Sequence, residues 1–496
     1  MKQICVRSAP SPTGFIHIGN LRTMLFTYLF ARHNNGINIL RIEDTDQNRL
    51  VEGAAEHLIK TLSDLGIEFD EGVIIKDGKL SEKGDNGPYI QSKRLGLYEE
   101  HIKKLLSEGH AYYCFCTQER LDELRKEQSA MKLPPMYDKL CLKYSTEEVE
   151  NKLASNTPHV IRLKVPGSQT IQWDDIVFGN ITFQSNVVDD QVLTKSDGFP
   201  TYHFAVVVDD HLMGITHVTR GEEWIPSTPK QILLYQMFGW EIPKFAHFPN
   251  IHNSNKTKLS KRHGDVSVEG FLKQGYLKEA LINYIVMLGW NPKSTQEFFN
   301  MEGLIKEFDL SKINKAGAVF DPVKLDWMNS NYIRRTDPRT LCEMLLPFWE
   351  EAGYLPHNFD TEYLIEVAKL EQERLKKLSE IIETTAYFFN DPAYEPNLLV
   401  WKKSDTEKTL SILNSLLDFW RSTSILDLDV RQIEVKTINW IKSEGFDNGS
   451  VLWPLRVSLT GLDKSPGPFE VAKVLSIGLG KEAIFKRIEK AVRSLT

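Results

Sequence analysis

The sequence predicts a multidomain α/β protein, in which a parallel-sheet domain is split by an α+β insertion and followed by an all-α half. Strand and helix patterns alternate over residues 1–90 and 201–255, which is typical of parallel sheets with helical crossovers. Residues 91–200 instead show short apolar alternations between turn residues. Helical periodicity then continues to the C-terminus, and 496 residues exceed what one hydrophobic core organises.

The composition indicates an ordinary globular protein. Hydrophobic residues make up 41% of the chain and charged residues 26%, and no apolar run reaches the ~18 residues that cross a bilayer. The start lacks the apolar core of a secretory signal and the five cysteines lack disulfide-like spacing, so we expect a cytoplasmic protein. A net charge of −7 argues against non-specific coating of nucleic acid, although a local basic surface could still bind RNA.

The N-terminal elements follow from hydrophobic patterning and turn residues. Two prolines exclude a helix from the loop 9–14. Gly36 and Gly66 are expected to end the first two helices, because glycine tolerates the left-handed conformation common just past a helix end. The expected order is strand Ile4–Val6, helix from Gly19, strand Ile37–Ile42 and helix Glu52–Leu65.

The later elements are predicted in the same way. A charged helix is expected over Gln118–Gln128. Apolar alternation or continuous apolar runs predict strands in the segments 159–165, 179–183, Phe204–Val208 and Ile215–Thr219. Breaks in the helical half are expected near Tyr332–Pro338 and Phe389–Pro396.

Three short segments carry residues suited to phosphate and ligand chemistry. His17 and Gly19 begin the first helix, whose N-terminus offers unpaired N–H groups and a positive dipole end to a phosphate. Segment 258–262 reads KLSKR, and its three cations can neutralise a triphosphate. Segment 41–46 reads RIEDTD and follows the second strand, at the edge where open parallel sheets bind ligands.

Each of these segments also has a purely structural interpretation. The histidine could lie on the surface, the basic run could be a solvated loop, and Asp44 or Asp46 could cap a helix. The sequence contains neither a glycine-rich Walker loop nor a GxGxxG fingerprint, so neither a P-loop nor a dinucleotide site is indicated. The conjunction of the segments is what favours a functional site.

The order and spacing of these segments resemble the class I glutamyl-tRNA synthetase family. The first 265 or so residues carry the resemblance in VRSAPSPTGFIHIGNLRT, RIEDTD, GPYIQSKR, YHFAVVVDDHLMGITHVTRGEEW and KLSKR. The helical half resembles bacterial members in GAVFDPVKLDWMN (317–329) and LRVSLTGLDKSPGPFEVAKVLSIGLGKE (455–482). The resemblance implies ATP-dependent attachment of L-glutamate to the 3′ end of tRNA(Glu) through a glutamyl-adenylate.

Each predicted domain takes a role from this resemblance. The catalytic domain is Rossmann-like and is interrupted by an insertion that binds the acceptor stem, and the all-α half contacts the stem and then the anticodon. The domains are expected at residues 1–90 with 201–255 (catalytic), 91–200 (insertion), 256–335 (stem contact, with the KLSKR loop), 336–390 (anticodon-binding domain 1) and 391–496 (anticodon-binding domain 2).

The two signature motifs of the family, usually HIGH and KMSKS, stand here as HIGN and KLSKR. By resemblance, three residues are expected to be catalytic because they can stabilise charge on the phosphates: His17, Lys258 and Lys261. Mg²⁺ is expected on the ATP, and Ile251 is expected to act through its backbone near the adenine. The expected ATP-binding residues are His17, Gly19, Glu223, Ile251, Lys258, Ser260 and Lys261.

Glutamate recognition needs cations for the side-chain carboxylate and an anion for the α-ammonium. Arg7 and Arg220 suit the carboxylate, since a guanidinium binds it through paired hydrogen bonds. Tyr202 can add a hydroxyl donor, and Glu43 can hold the ammonium. With the further residues implied by resemblance, the expected glutamate-binding set is Arg7, Ala9, Ser11, Glu43, Tyr202 and Arg220.

A cysteine-rich segment of the insertion has the ligand types of a zinc site. Cys114 and Cys116 are followed by Tyr137 and Cys141, and some relatives complete such a site with tyrosine or histidine. The alternative is three reduced cysteines in a small core.

Arg374 is the expected anticodon residue. It lies in LEQERLKKLSE, where discriminating bacterial members carry the arginine that selects the third anticodon base, and a solvated helix arginine is the alternative. The expected partners are tRNA(Glu), L-glutamate and ATP, with no membrane, and we expect a monomer because nothing marks an obligate interface. The sequence leaves open whether tRNA(Gln) is also charged.

Rival interpretations differ in how they account for the helical half. A glutaminyl-tRNA synthetase shares the ATP motifs but normally carries a β-barrel anticodon region, and Arg220 favours an acidic side chain. A shorter relative that glutamylates a modified tRNA base lacks an anticodon domain. A catalytically inactive tRNA-binding scaffold would not need intact His17, Lys258 and Lys261. Another nucleotidyltransferase, which makes a small-molecule adenylate, would not need the helices.

Overall fold

The computed structural model describes residues 2–259, 266–292, 294–355 and 360–496. The chain divides into two compact units, Met1–Phe271 with Leu281–Asp321, and Leu272–Ala280 with Pro322–Thr496. The division into five domains is finer than these two units and stays a prediction. No described helix is long and apolar enough to span a membrane.

The elements up to Asp321 combine short strands with helices, as the alternating pattern predicts. The strands are β1 (Cys5–Ser8), β2 (Ile37–Leu40), β3 (Glu71–Lys76), β4 (Lys79–Lys83), β5 (Ala111–Cys114), β6 (Val160–Leu163), β7 (Thr170–Asp175), β8 (Gly179–Gln184), β9 (Val192–Thr194), β10 (His217–Gly221), β11 (Lys244–Phe248), β12 (Ile251–His252) and β13 (Ala318–Val319). The helices are α1 (Ile18–His33), α2 (Ala54–Asp64), α3 (Leu95–Ser107), α4 (Gln118–Ala130), α5 (Thr146–Ala154), α6 (Tyr202–Leu212), α7 (Thr228–Phe238), α8 (Val268–Lys273), α9 (Lys278–Met287) and α10 (Met301–Glu307).

Strand β1 lies beside β10, at the junction of two sheets. In one sheet β1, β2 and β3 run parallel in that order, with β4 antiparallel to β3. In the other, β10, β11 and β7 run parallel, with β8 antiparallel to β7. The two sheets meet where the Thr216 backbone N–H donates to the Cys5 carbonyl at 2.9 Å. A crevice therefore opens where the strand order reverses, outside the carboxyl ends of β1 and β10.

One predicted strand is a helix. The apolar run Phe204–Val208 lies inside α6, and every residue of the run is buried. A short continuous apolar run does not distinguish a buried strand from a buried helix. Here α3, α7 and β9 all contact α6, so the helix is covered on several sides and its sequence loses the amphipathic pattern of a surface helix. The next predicted strand, Ile215–Thr219, overlaps β10, which begins and ends two residues later.

The insertion region has its own small antiparallel sheet, in the order β5-β6-β9, with α4 and α5 beside it in sequence. The other two strands of this region belong to the larger architecture, because β7 pairs with β11 at Asp175 and Phe245. Asp175 is the last residue of β7, and this pairing sets it beside β11, opposite Phe245.

The C-terminal unit is helical, and residues 322–355 and 360–496 contain no strand. One hydrophobic core holds it together and includes the fully buried Trp349, Trp420 and Tyr363. Asp337 caps α12 by accepting from the Arg339 and Thr340 N–H groups, which explains the predicted break before it. The helices are α11 (Pro322–Arg335), α12 (Pro338–Glu351), α13 (Thr361–Glu371), α14 (Ile381–Phe389), α15 (Thr406–Ser422), α16 (Val430–Ser443), α17 (Asn448–Thr460), α18 (Pro468–Gly478) and α19 (Lys481–Leu495).

Candidate active site

A cavity of about 460 Å³ opens at the carboxyl ends of β1 and β10. Its wall contains every residue expected to bind glutamate and one of those expected to bind ATP: Arg7, Ala9, Ser11, Glu43, Tyr202, Arg220 and Glu223. These side chains come from positions far apart in the chain. They lie on β1 and β10, at the start of α6, and in the segments that follow β1, β2 and β10.

Arg220 is a buried cation at the cavity wall, with 5% of its surface exposed. Its Nε donates to His247 Nε2 at 3.0 Å, and its Nη2 donates to Thr228 Oγ1 at 2.8 Å. Within the described part of the chain, no carboxylate pairs with it and its buried Nη1 has no hydrogen-bond partner. Burial lowers the pKa of this guanidinium, because nearby charges compensate it only in part. The group is therefore suited to receive an anion.

Arg7 reaches the same cavity from β1. Its Nε donates to both oxygens of Asp210, at 3.0 and 3.2 Å, and its Nη1 donates to the Thr219 carbonyl at 3.3 Å. Asp210 also accepts from Arg41 Nη1 at 2.7 Å. These buried ion pairs orient the Arg7 guanidinium, since two fixed acceptors define its plane.

Glu43 supplies a carboxylate to the cavity. Its Oε1 accepts from Arg41 Nη2 at 2.9 Å, while no described residue hydrogen-bonds to its Oε2. Burial raises the pKa of this carboxyl, and the two neighbouring arginines, Arg41 and Arg7, oppose that shift. A bound ammonium group would add a further counter-charge, so the geometry suits the predicted role.

His17 caps the N-terminus of α1. The Gly19 N–H donates to His17 Nδ1 at 3.0 Å, so the neutral ring carries its proton on Nε2 and presents a donor there. A Cβ on Gly19 would lie 3.2 Å from that Nδ1, a tight contact that would require the imidazole to shift. The imidazole is thus held as a hydrogen-bond donor beside a helix N-terminus, where negative charge is favoured.

The C-terminal flank of the KLSKR segment lies against the start of α1. Ile18 N–H donates to the Val266 carbonyl at 3.1 Å, and Val268 N–H donates to the Ile16 carbonyl at 2.9 Å. Lys258 Nζ lies 3.5 Å from Glu223 Oε1, so two predicted ATP-binding residues form an ion pair.

Four predicted ATP-binding residues lie away from the cavity wall: His17, Gly19, Ile251 and Lys258. Ile251 is buried in β12, and its carbonyl accepts from the Leu259 N–H at 2.9 Å. Ser260 and Lys261 lie outside the described residues. The predicted roles of all these ATP-binding residues stay predictions.

Comparison with known proteins covers the whole chain. The model of the family tRNA synthetases class I (E and Q), catalytic domain, matches residues 3–327, and an anticodon binding domain model matches residues 340–492. A glutamate–tRNA ligase of Alkaliphilus metalliredigens is 45% identical over 99% of both chains. A glutamate–tRNA ligase of Clostridioides difficile is 46% identical over 97% of this chain and 98% of its own length. The chain belongs to the class I glutamyl-tRNA synthetase family.

Solved structures agree with this membership. A glutamate tRNA ligase from Elizabethkingia meningosepticum, crystallised in complex with its amino acid, superposes with a TM-score of 0.89 at 35% identity over 100% of both chains. A glutamate-tRNA synthetase from Elizabethkingia anophelis gives 0.87 at 35% identity, over 99% of this chain and 100% of its own. The predicted family and fold class are confirmed, including the all-α half that separates this chain from a β-barrel-bearing glutaminyl enzyme.

The sequence missed some residues of this synthetase pocket. Trp224 lines the cavity, and its ring lies 4.4 Å from that of Tyr202, between centroids. The sequence could have indicated Trp224, because it follows Glu223, an expected ATP-binding residue, in the segment RGEEW. Helix α1 adds Thr23, about one turn after Asn20 of the HIGN motif, which also lines the cavity. The Asp44 carboxylate accepts from the Ser92 N–H at 2.8 Å and from the Ser92 hydroxyl at 2.6 Å, so it links two segments of the catalytic region.

The cysteine cluster lies in the insertion of this glutamyl-tRNA synthetase family member. The sulfur atoms of Cys114, Cys116 and Cys141 all lie within 4.8 Å of one another. The Tyr137 hydroxyl is 3.4 Å from Cys114 Sγ and from Cys116 Sγ. A hydrogen bond from Cys141 lowers the pKa of the Cys114 thiol, to about 4. Three sulfurs at these separations can supply three of the four ligands of a tetrahedral zinc site.

Arg374 lies in the turn that follows α13, with 36% of its side chain exposed. Its Nη1 donates to both carboxylate oxygens of Glu371, at 3.1 and 2.9 Å. Glu371 is fully buried, and its Oε1 also accepts from the Tyr387 hydroxyl at 3.3 Å. The arginine is therefore anchored at one edge rather than freely solvated, and its anticodon role stays a prediction.

Proposed function

We propose that this chain attaches L-glutamate to the 3′ end of tRNA(Glu) with ATP, through a glutamyl-adenylate. The observation that carries the proposal is Arg220, a buried cation at a cavity wall without a carboxylate partner among the described residues. A buried cation of this kind is costly unless a ligand completes it. A carboxylate ligand does so, and the named relatives are glutamate–tRNA ligases.

The charges of the cavity support glutamate rather than glutamine. Arg220 and Arg7 would receive the side-chain carboxylate, and the Tyr202 hydroxyl would add a donor. Glu43 would take the α-ammonium through its second oxygen. Glutamine would leave the arginine charge unpaired in a buried site, which costs binding free energy.

The first chemical step is a displacement at phosphorus. An oxygen of the glutamate α-carboxylate attacks the α-phosphate of ATP, the bond to the β-phosphate oxygen breaks, and pyrophosphate leaves with that bond's electron pair. The Nε2–H of His17 and the cation of Lys258 would stabilise charge on the phosphates. Mg²⁺ bound with the ATP would supply further charge neutralisation.

In the second step a ribose hydroxyl at the tRNA 3′ end attacks the activated carbonyl and AMP leaves. For a class I enzyme this is the 2′-OH. The helical unit would read the anticodon, with Arg374 anchored by Glu371 for contact with its third base.

The cysteine cluster would hold one structural zinc ion through Cys114, Cys116, Cys141 and the Tyr137 oxygen. The support is the convergence of three sulfurs with an oxygen 3.4 Å from two of them. Bound zinc would tie β5 to the segment around Tyr137, and none of the catalytic steps passes through it. We further propose a cytoplasmic monomer, and the five free cysteines suit that reducing compartment.

The test is aminoacylation of purified tRNA(Glu) and tRNA(Gln) with labelled glutamate and ATP. Charging of tRNA(Glu) alone supports the ligase with a discriminating anticodon site. Charging of both keeps the chemistry and removes the role proposed for Arg374. Charging of neither, with glutamate or with glutamine, overturns the proposal, and ATP–pyrophosphate exchange in the presence of tRNA then separates an inactive scaffold from a different adenylate-forming enzyme.

A further inference from the structure

The Nε side of the Arg220 guanidinium contacts an imidazole and not a carboxylate. Its Nε donates to His247 Nε2 at 3.0 Å, and neither residue is exposed beyond 5%. Arginine has no acceptor atom, so His247 Nε2 must be the acceptor. The His247 ring is therefore neutral in this contact and carries its proton on Nδ1.

Asp175 fixes that protonation pattern. Its Oδ2 accepts from His247 Nδ1 at 2.6 Å, and both side chains are fully buried. Its Oδ1 accepts from the backbone N–H groups of Val177 and Phe178, each at 3.0 Å. Asp175 comes from β7, His247 from β11 and Arg220 from β10, so three parallel strands build the chain of contacts.

Thr228 completes the support. Its Oγ1 accepts from Arg220 Nη2 at 2.8 Å and donates to the Trp224 carbonyl at 3.0 Å. With Nε and one edge of Nη2 engaged, the remaining N–H groups are those of Nη1 and the second proton of Nη2. One Nη1 N–H and the second Nη2 N–H lie side by side at the terminal edge of the guanidinium, which is the arrangement that binds a carboxylate through two parallel hydrogen bonds.

We propose that His247, oriented by Asp175, is a positioning residue that aims Arg220 at the side-chain carboxylate of glutamate. This inference rests on the proposed function. The imidazole places the Asp175 charge one ring away from Arg220. A carboxylate bonded directly to Arg220 would cancel its charge and compete with the substrate.

The test compares His247→Leu, which removes the acceptor, with His247→Gln, whose side-chain oxygen can occupy the position of Nε2. The KM values for glutamate and for ATP and the kcat are measured for the full chain with tRNA(Glu), together with the melting temperature. We expect His247→Leu to raise the glutamate KM about 10- to 100-fold, the range for losing a hydrogen bond to a charged group. The ATP KM should change less than about twofold, and His247→Gln should recover most of the loss.

Other outcomes decide against the proposal. An unchanged glutamate KM in folded His247→Leu overturns it, and so does an equal rise in the KM values for glutamate and ATP. If His247→Leu does not fold, Thr228→Val removes the other acceptor at nearly constant volume. It must then raise the glutamate KM at least about threefold, or the proposal fails. If the wild-type chain charges no tRNA with glutamate, the proposed function itself is overturned. If the wild type charges tRNA normally and His247→Leu is unaffected, only the role of His247 is overturned.

Discussion

Replacing Arg220 by leucine removes the cation that we assign to the glutamate side chain. Arg220→Leu keeps a side chain that fills part of the space and cannot hydrogen-bond. The Arg7 guanidinium stays in place, because its contacts to Asp210 do not involve residue 220. The substrate carboxylate then enters a buried site with one guanidinium fewer.

The expected loss follows from the geometry. Breaking a buried ion pair by removing one partner costs about 3–5 kcal/mol, and each 1.36 kcal/mol is a factor of about ten. Since Arg7 still offers partial compensation, we expect kcat/KM for glutamate to fall about 10²- to 10³-fold. Glutamine has a neutral amide and should lose much less, so the preference for glutamate over glutamine should collapse.

Stability should respond in the opposite sense. Burying the Arg220 charge destabilises the fold, because no carboxylate among the described residues pairs with it. Arg220→Leu should therefore melt at the same temperature as wild type or higher. Arg94→Leu is the matched control. Arg94 is equally buried, but its Nε donates to Asp209 at 2.6 Å, and losing that pair should cost about 3–5 kcal/mol.

The assay is tRNA-dependent ATP–pyrophosphate exchange with glutamate and with glutamine, beside thermal melting of all three proteins. A folded Arg220→Leu with glutamate kcat/KM within about threefold of wild type would refute the assignment of Arg220. A fall in melting temperature as large as that of Arg94→Leu would show that Arg220 stabilises the fold, contrary to the reasoning above.

Three further predictions concern the rest of the chain. Arg374→Gln should raise glutamate charging of tRNA(Gln) relative to tRNA(Glu), and an unchanged ratio would contradict the role of Arg374. Burial raises the pKa of Glu371 to about 7 from an ordinary 4.5, so folding takes up a proton here. The stabilisation from that protonation is complete below about pH 4.5 and is lost as the pH rises through 7. Between those pH limits the free energy of unfolding of wild type should therefore fall by on the order of 3 kcal/mol relative to Glu371→Gln. If the two proteins instead give parallel curves of stability against pH, the raised pKa of Glu371 is excluded. Elemental analysis of chelator-free protein should find one zinc per chain that Cys141→Ser loses, and zinc-free wild type would remove that site.

Several features of this protein were predictable from the sequence because they depend on neighbours in the chain. The end of the second helix at Gly66 follows from its left-handed backbone, with φ of 74°. His17 at the start of α1 follows from the turn before it, and its Nδ1 bonds to an N–H only two residues away. The glutamate pocket was predicted differently, from the family resemblance together with the charges of Arg7, Glu43 and Arg220, and its residue roles stay predictions.

Interactions between distant segments decided the rest. The run Phe204–Val208 has a composition compatible with a strand or a helix, and only burial on several sides by α3, α7 and β9 distinguishes them. Trp224 looks like any aromatic until its position beside Tyr202 puts it on the cavity wall.

The contacts that hold Arg220 show most clearly which features the sequence determined and which only the tertiary structure decided. The sequence alone determined that an arginine follows the strand-forming segment HVT and that its charge suits a carboxylate. It did not show that His247, 27 residues away, meets that arginine, or that Asp175, 72 residues from His247, holds the imidazole. Local periodicity and capping are determined by short-range hydrogen bonds, which a sequence displays directly. The environment of a buried charge is set by strand pairing across the whole sheet, and that register exists only in the folded structure.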